Sequence, residues 1–398
     1  MWRPQRTLLL LVALGLGCSA VACSDDDRGG AAASSTTSTP AVVAPAGDLR
    51  LNEIQTMGTH NSFHVAPPAS ELSLLAAMNA QQASEREYHH SPLPTQFGEE
   101  QIRQIELDVF VDETGMYATP SLRRQAGLDP LVDEVPAMAE PGTKVMHEQD
   151  VDYHSVCPTL VQCMEEVRDF SDANPDHVPI AIQIQFKDGP LIFPVADQVL
   201  PERWTVERME AMEDEIVGVL GRDRILTPDD VRGDHDALED AVLTDGWPTL
   251  GDTRGKVLFM IVNGEPYPSI YLSGHERLDD RLFFVNADPG TPNAGFVTVD
   301  DPIADGDELQ RLVELGYLVR TRSDTPGQEA AAGDTTRLAA ALDRGAHFIS
   351  TDYPAPTGAA RQYPDSDYVA ELPGGLVARC NPVTAPASCV DAEVEPAG

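Results

Sequence analysis

Five short segments of the chain bring together side chains that could transfer protons or bind a metal ion. They are Thr59-His60-Asn61, Glu106-Leu107-Asp108, His147, Lys187-Asp188 and Thr351-Asp352-Tyr353. Imidazole titrates near neutral pH, so His60 and His147 could each move a proton or stabilise charge on a phosphoryl group. A single histidine would be weak support. The prediction depends on both occurring among the other polar segments.

The Glu106 and Asp108 pair points to a metal site once Asn61 is considered with it. Residues two apart on a strand place their side chains on the same face, here the inside of a predicted barrel. Two buried carboxylates are unfavourable unless cations compensate them. If Glu106 and Asp108 stood alone, neighbouring arginines that neutralise them would explain the pair. With the amide oxygen of Asn61 nearby, the three residues instead form a hard oxygen site that suits Ca²⁺, and suits Mg²⁺ less well.

Positive charge is scarce in this chain, so its position is informative. Lys187 follows a predicted strand, and Arg320 and Arg322 flank another. A bound phosphate would explain all three, while ion pairs with the abundant acids explain the two arginines equally well. The remaining histidines are interpreted as structural or surface residues: His64, His89, His90, His154, His177, His235, His275 and His347.

The segments that must position these residues alternate between strand and helix patterns. The predicted strands are 51–57, 102–111, 144–147, 178–186, 257–262, 283–285, 317–321 and 348–350. The predicted helices are 159–170, 206–220, 307–315 and 335–344. This alternation predicts a parallel α/β sheet, and eight closing units give a (β/α)₈ TIM-type barrel, with an open doubly wound sheet as the alternative. In a barrel, polar strand ends converge on one mouth.

The N-terminus has the features of an export signal. Two arginines, an apolar run and small residues up to Cys23 predict a signal peptide over residues 1–23. Ordinary cleavage and lipidation at Cys23 both fit, so we expect a bacterial cell-surface lipoprotein or a secreted protein. Residues 24–47, rich in small and polar residues, are predicted to form a disordered tether. A single catalytic barrel domain is expected over 48–398, with a capping C-terminal extension from about residue 358.

Cysteine count and charge agree with export. Beyond the signal the chain keeps an even four cysteines, Cys157, Cys163, Cys380 and Cys389, which predict two local disulfides rather than a zinc site. Without the two signal arginines, 25 basic residues face 65 acidic ones, a net charge of −40. Such a surface repels nucleic acid. We expect a monomer that contacts membranes through its substrate and a possible lipid anchor.

Together these motifs resemble the bacterial calcium-dependent phosphatidylinositol-specific phospholipase C family, within the phospholipase-C-like phosphodiesterase class. The matching segments are 58–64, 104–110, 144–147, 152–163, 174–180, 187–188 and 350–354. The combination of T-H-N with E-x-D is specific to this class. The implied site residues are His60 and His147 for catalysis, Asn61, Glu106, Asp108 and Gln185 for the metal, and Lys187 with Arg322 for substrate.

The resemblance implies a Ca²⁺-dependent phosphodiesterase that cleaves phosphatidylinositol to diacylglycerol and a cyclic inositol phosphate. Similar proteins often carry a glutamate where this chain has Gln185; an amide oxygen can bind Ca²⁺ but brings no charge. Two other functions stay open. One is hydrolysis of a glycerophosphodiester or a sphingolipid headgroup. The other is a catalytically silent cell-envelope binding protein, which the change at Gln185 would explain.

Overall fold

The computed structural model describes residues 46–191 and 195–395. The predicted signal peptide, Cys23 and nearly all of the predicted tether therefore lie outside the described residues. Ala46 and Gly47, at the end of that tether, belong to a short 3₁₀ helix, Ala46–Asp48. Within the described part of the chain, no helix combines the length and the apolar character needed to cross a bilayer.

Eight of the ten described strands run parallel and form a nearly closed barrel, which confirms the predicted fold. The strands, in chain order, are β1 (Ile54–Thr59), β2 (Gln104–Phe110), β3 (Lys144–Val145), β4 (Ile180–Phe186), β5 (Val257–Ile261), β6 (Phe283–Val285), β7 (Phe296–Thr298), β8 (Leu318–Arg322), β9 (Phe348–Thr351) and β10 (Ala378–Cys380). The barrel order is β6-β5-β4-β2-β1-β9-β8-β7. A parallel bridge between Asn286 and Phe296 joins its two ends.

Two predicted strands differ from those observed. Segment 144–147 is not a barrel strand: β3 has two residues and runs antiparallel to β2. The eighth barrel strand is instead β7, whose three residues are too few for a periodic pattern. Segment 51–57 begins as a 3₁₀ helix, Leu51–Glu53, so that β1 starts three residues later than predicted and reaches Thr59.

The structure describes fifteen α-helices, of which four match the predicted segments to within three residues at each end and eleven were not predicted. They are α1 (Ala69–Met78), α2 (Ala80–Ser84), α3 (Leu93–Gly98), α4 (Ser121–Gln125), α5 (Leu131–Glu134), α6 (Leu160–Ala173), α7 (Val206–Leu220), α8 (Pro228–Arg232), α9 (Leu238–Thr244), α10 (Leu250–Thr253), α11 (Tyr267–Tyr271), α12 (Gly306–Leu315), α13 (Glu329–Ala332), α14 (Thr336–Asp343) and α15 (Asp391–Val394). In α7, the Thr205 side chain caps the first turn and Gly221, at φ 76°, ends the helix.

The interior of the barrel beneath the mouth is polar on the side of β1, β2 and β9. A Cβ on Gly58 would lie 1.9 Å from Oε1 of Gln104, so only glycine lets β1 approach β2 this closely. Gln104 accepts a hydrogen bond from Ser350 at 2.6 Å and donates one to the Thr59 carbonyl at 3.2 Å. These contacts hold the end of β1, the start of β2 and the end of β9 together. The residues that follow β1 and β9 therefore start from fixed positions.

The last described residues, from β10 to Glu395, lie at the end of the barrel opposite the mouth. β10 pairs antiparallel with β1. The Glu395 carboxylate, which follows α15, accepts hydrogen bonds from Arg103 and from the backbone of Val178, the residues just before β2 and β4. The two predicted disulfides are confirmed, as Cys157–Cys163 and Cys380–Cys389.

Candidate active site

His60 follows β1 directly and is oriented by an aspartate from the other end of the chain. Its Nδ1 lies 2.9 Å from Oδ1 of Asp352, the residue after β9. Because a carboxylate only accepts, Nδ1 carries the proton and Nε2 is left for chemistry. That Nε2 lies 4.0 Å from Glu106, and 18% of the His60 side chain is exposed. The ring is therefore held firmly yet open to a ligand.

Asp352 is buried, and permanent positive charge keeps it ionised. Arg322 donates to its second oxygen at 2.9 Å. Burial alone would raise the pKa of Asp352, but Arg322 and then His60 hold that pKa well below its usual range. The backbone N–H of Asp352 donates to Asp324 at 3.0 Å, which fixes the carboxylate in place.

His147 has the same kind of partner. Its Nδ1 lies 2.8 Å from Oδ2 of Asp152, and 24% of its side chain is exposed. Asp152 is buried and also contacts His64 at 3.0 Å and Arg86 at 3.3 Å. Burial would raise the pKa of Asp152, but His64 and then His147 hold that pKa well below its usual range. A second oriented imidazole thus reaches the mouth, although β3 is not a barrel strand.

The two carboxylates of β2 are both paired with cations. Arg320 donates to Oε2 of Glu106 at 2.8 Å, and Nζ of Lys187 lies 3.0 Å from Oδ2 of Asp108. Burial raises the pKa of Asp108, while Lys187 opposes that shift. Both arginines, Arg320 and Arg322, are thus found in ion pairs. The substrate roles of Lys187 and Arg322 stay predictions.

The predicted metal ligands supply suitable atoms. Oδ1 of Asn61 and Oδ1 of Asp108 are buried and have no hydrogen-bond partner among the described residues. Asn61, at φ 45°, adopts a left-handed conformation and donates its side-chain N–H to Tyr88 at 3.0 Å, which fixes which way the amide oxygen points. Gln185 is half-buried and lies beside Asp108 in the register of β4 against β2. These hard oxygen donors fit Ca²⁺ in kind.

The negative charge of this donor set is partly compensated by Lys187 and by Arg320, which also pairs with Asp300. Glu106 and Asp108 carry two negative charges, and Arg320 and Lys187 carry two positive ones. In residues 46–191 and 195–395, no group of three or more His, Cys, Asp or Glu side chains is arranged to hold a metal. A bound cation would therefore depend on amide oxygens, and on Lys187 moving away from Asp108.

The contacts that two aspartates make with the histidines of the site were not predicted from the sequence. Asp352 was identified at a strand end but without a role, and Asp152 only as part of a matching segment. His64 was interpreted as structural, yet it contacts Asp152 in the site. The spacing of five residues between His147 and Asp152 was the available signal. For Asp352, separated from His60 by 292 residues, the sequence offers no comparable signal.

A family model matches this site and the barrel around it. The model, described as phosphoinositide phospholipase C, Ca²⁺-dependent, matches residues 49–382. The chain belongs to this family. The match confirms the family that the motifs indicated, and it favours a phospholipase C over the glycerophosphodiester and silent binding-protein alternatives. A comparison with curated proteins found no match.

Solved structures of phospholipases C are similar to this chain at low sequence identity. A calcium-dependent phosphoinositol-specific phospholipase C from a Gram-negative Pseudomonas sp. matches with a TM-score of 0.50 and 15% identity, over 84% of this chain and 96% of that one. A Ca²⁺-dependent phosphatidylinositol-specific enzyme from Streptomyces antibioticus gives 0.47 and 17%, over 76% and 95%. A phosphatidylinositol-specific enzyme from Listeria monocytogenes gives 0.46 and 13%, over 81% and 96%. At 15% identity, the similarity to the Pseudomonas structure supports the fold alone.

Proposed function

We propose that this phospholipase C family member cleaves phosphatidylinositol to diacylglycerol and a cyclic inositol phosphate. One observation carries the proposal: His60 and His147 reach the same mouth, each bonded through Nδ1 to a buried aspartate. Both rings therefore present Nε2, and two imidazoles that differ in protonation can serve as base and acid in one displacement.

His60 is the proposed base. Its Nε2 takes the proton from the inositol 2-hydroxyl as that oxygen attacks phosphorus. The imidazolium that forms would lie against Asp352 at 2.9 Å and Glu106 at 4.0 Å, and both carboxylates stabilise its charge. The aspartate need only stay ionised, which its pairing with Arg322 ensures.

His147 is the proposed acid. Its Nε2 gives a proton to the glycerol oxygen as the bond from that oxygen to phosphorus breaks. Diacylglycerol then leaves as the neutral alcohol, and the new bond from the 2-oxygen to phosphorus closes the cyclic phosphate. Lys187, with 27% of its side chain exposed, is the proposed contact that stabilises the phosphoryl oxygens.

Calcium is the proposed cofactor, with Mg²⁺ the less suitable ion. Asn61, Glu106, Asp108 and Gln185 are the residues that would hold it. When bound, such an ion supplies positive charge at the phosphoryl oxygens and the attacking hydroxyl. Neutral Asn61 and Gln185 bring no charge, so we expect weaker binding than at a site with three carboxylates.

We also infer that the protein is exported and works as a monomer at membranes. The signal-like residues 1–23 and the two disulfides support export. Cys23 would anchor the chain if it is lipidated, and the phospholipid substrate itself would bring the mouth to a bilayer. The acidic composition makes nucleic acid an unsuitable partner.

The test is phosphatidylinositol cleavage by the mature protein with Ca²⁺ and with a chelator. We expect cyclic inositol phosphate to be released with Ca²⁺, and expect it to be lost in His60→Ala and His147→Ala. His235→Ala is the matched control, because His235 forms an exposed ion pair with Asp245 at 2.7 Å. Release from another phosphodiester alone would change the proposed substrate. If the correctly folded protein cleaves none of these substrates, the proposed enzymatic function is wrong.

A further inference from the structure

Gln183 is a fully buried glutamine in the middle of β4 whose amide has no partner among the described residues. Its exposed fraction is 0%, and neither its Oε1 nor its Nε2 makes a hydrogen bond within that part of the chain. Leaving a buried polar group unpaired costs free energy, so the great majority of buried amides in proteins are paired. The amide of Gln183 therefore needs an explanation beyond the packing of the fold.

Three other glutamines of this protein are equally buried, and both ends of each amide are paired. They are Gln55, Gln96 and Gln104. In Gln55, for example, Oε1 accepts from Arg379 at 2.8 Å and Nε2 donates to the carbonyl of Ala346 at 2.7 Å. Where a buried glutamine serves the fold, the chain thus supplies its partners. Gln183 differs from all three in this respect.

Gln183 faces the inside of the barrel, level with Glu106. The two residues are partners in the parallel register of β2 and β4, and such partners share a face of the sheet. Glu106 faces the interior, because Arg320 reaches it from β8, a strand that is not adjacent to β2. Gln185 follows two residues later on the same face of β4. Gln183 is therefore in the wall of the predicted metal site, one step below Gln185.

The other neighbours of Gln183 on this wall are apolar. Its register partner on β5 is Met260, which is fully buried and whose thioether is only a weak acceptor. Ala181, the preceding residue on the same face, has no polar atom in its side chain. A methionine at position 183 would suit these neighbours, because it fills a similar volume without an amide. Packing alone does not account for a glutamine here.

We propose that the amide oxygen of Gln183 is a fifth ligand of the cation site. This inference rests on the proposed function, in which Asn61, Glu106, Asp108 and Gln185 hold Ca²⁺. Oδ1 of Asn61 and Oδ1 of Asp108 are, like the Gln183 amide, buried and without a hydrogen-bond partner in residues 46–191 and 195–395. The three lie on or just after β1, β2 and β4, which are consecutive in the barrel. Oxygens that no donor approaches suit a cation.

A fifth ligand also bears on which cation the site prefers. Ca²⁺ takes roughly six to eight oxygen ligands in flexible geometry, whereas Mg²⁺ keeps several of its waters and is usually bound through one or two carboxylates. A site that supplies five side chains, three of them neutral amides, matches the first ion better. Losing Gln183 should therefore weaken Ca²⁺ binding more than Mg²⁺ binding.

The first test is cation binding by the full chain, measured by calorimetry without substrate. Gln183→Met should raise the Kd for Ca²⁺ by about tenfold, the lower end of what losing one group that supports a metal site costs. The Kd for Mg²⁺ should rise by less than about threefold. Gln55→Met is the matched control, because it removes an equally buried amide that is paired with Arg379 outside the site. It should leave both Kd values unchanged.

The second test is thermal unfolding, which separates a ligand from a structural residue. In chelator, Gln183→Met removes an unpaired buried amide, so Tm should rise by about 2 °C, whereas Gln55→Met breaks hydrogen bonds and should lower Tm. Added Ca²⁺ should then raise Tm less in Gln183→Met than in wild type, because the variant binds the ion more weakly.

Two results would overturn the inference in different ways. An unchanged Kd for Ca²⁺ in Gln183→Met would assign the amide to a buried water and leave the proposed cofactor standing. A wild-type protein that binds no Ca²⁺ would remove both the fifth ligand and the proposed cofactor. No substrate is present in either test, so neither result depends on which phosphodiester the protein cleaves.

Discussion

The two histidine–aspartate pairs share one geometry but differ in how the aspartate is neutralised. Asp352 pairs with His60 and a permanent cation, Arg322. Asp152 pairs with His147, lies 3.3 Å from the permanent cation Arg86, and also contacts a second imidazole, His64. Nearly equal histidine–aspartate distances therefore do not give the two histidines equal surroundings. His60 lies 4.0 Å from a second carboxylate, Glu106, whereas His147 shares the Asp152 carboxylate with His64 and Arg86.

The largest expected effect separates base from acid. Both His60→Ala and His147→Ala should lower turnover of phosphatidylinositol by about 10³-fold, since each removes a proton-transfer group. With a p-nitrophenyl leaving group, His147→Ala should recover most of its activity and His60→Ala should not. The measurement is kcat for each variant on both substrates. Recovery in His60→Ala instead would exchange the two assignments.

A smaller loss is expected when the aspartates are replaced. Asp352→Asn and Asp152→Asn keep the shape but misorient the imidazole, and each should lower kcat by about 10²-fold with little change in KM. The Asp152→Asn loss should depend on the leaving group and the Asp352→Asn loss should not. Asp245→Asn, at the exposed His235 pair, serves as the control. A leaving-group dependence in both variants would remove the distinction between the pairs.

The proposed Ca²⁺ site lies on the side of the His60–Asp352 pair, because its ligand Asn61 adjoins His60 in the chain. Gln185→Glu adds a charged ligand and should tighten Ca²⁺ binding about tenfold, measured by calorimetry without substrate. Gln125→Glu places the same charge on the surface and should leave the affinity unchanged. Unchanged affinity in Gln185→Glu would place the metal away from Gln185.

The smallest expected effect is on stability in acid. The pKa values of Asp152 and Asp352 are both lowered in the folded state, so each stabilises the fold above its unfolded pKa of about 3.9 and loses that contribution as the pH falls below it. From pH 5 to pH 3, the free energy of unfolding should fall by about 1 to 2 kcal/mol less in Asp152→Asn than in wild type. Urea unfolding at both pH values measures this. An equal fall would show that Asp152 is not held ionised.

The strands that carry the site were mostly predictable, and the exceptions have physical causes. β2 and β4 have seven residues each and carry large apolar side chains at every second position, which gives a clear periodic signal. β6 and β7 both have three residues, too few for periodicity; β6, F-F-V, is entirely apolar and was predicted, whereas β7, F-V-T, was not. Segment 144–147 has strand composition, but it pairs antiparallel with the end of β2. Pairing direction is a property of the partner and not of the segment.

Motif spacing and strand periodicity are local properties of the chain, and they were enough to predict the family and the polar residues at the strand ends. They could not predict which of the 65 acids meets which histidine, because that depends on how distant segments fold together. Asp352 reaches His60 because β9 lies beside β1 in the closed barrel. Likewise, the partners of His64, a carbonyl and a carboxylate, come from two other segments. Such pairings follow from strand order and register, which are fixed only when distant segments pack together.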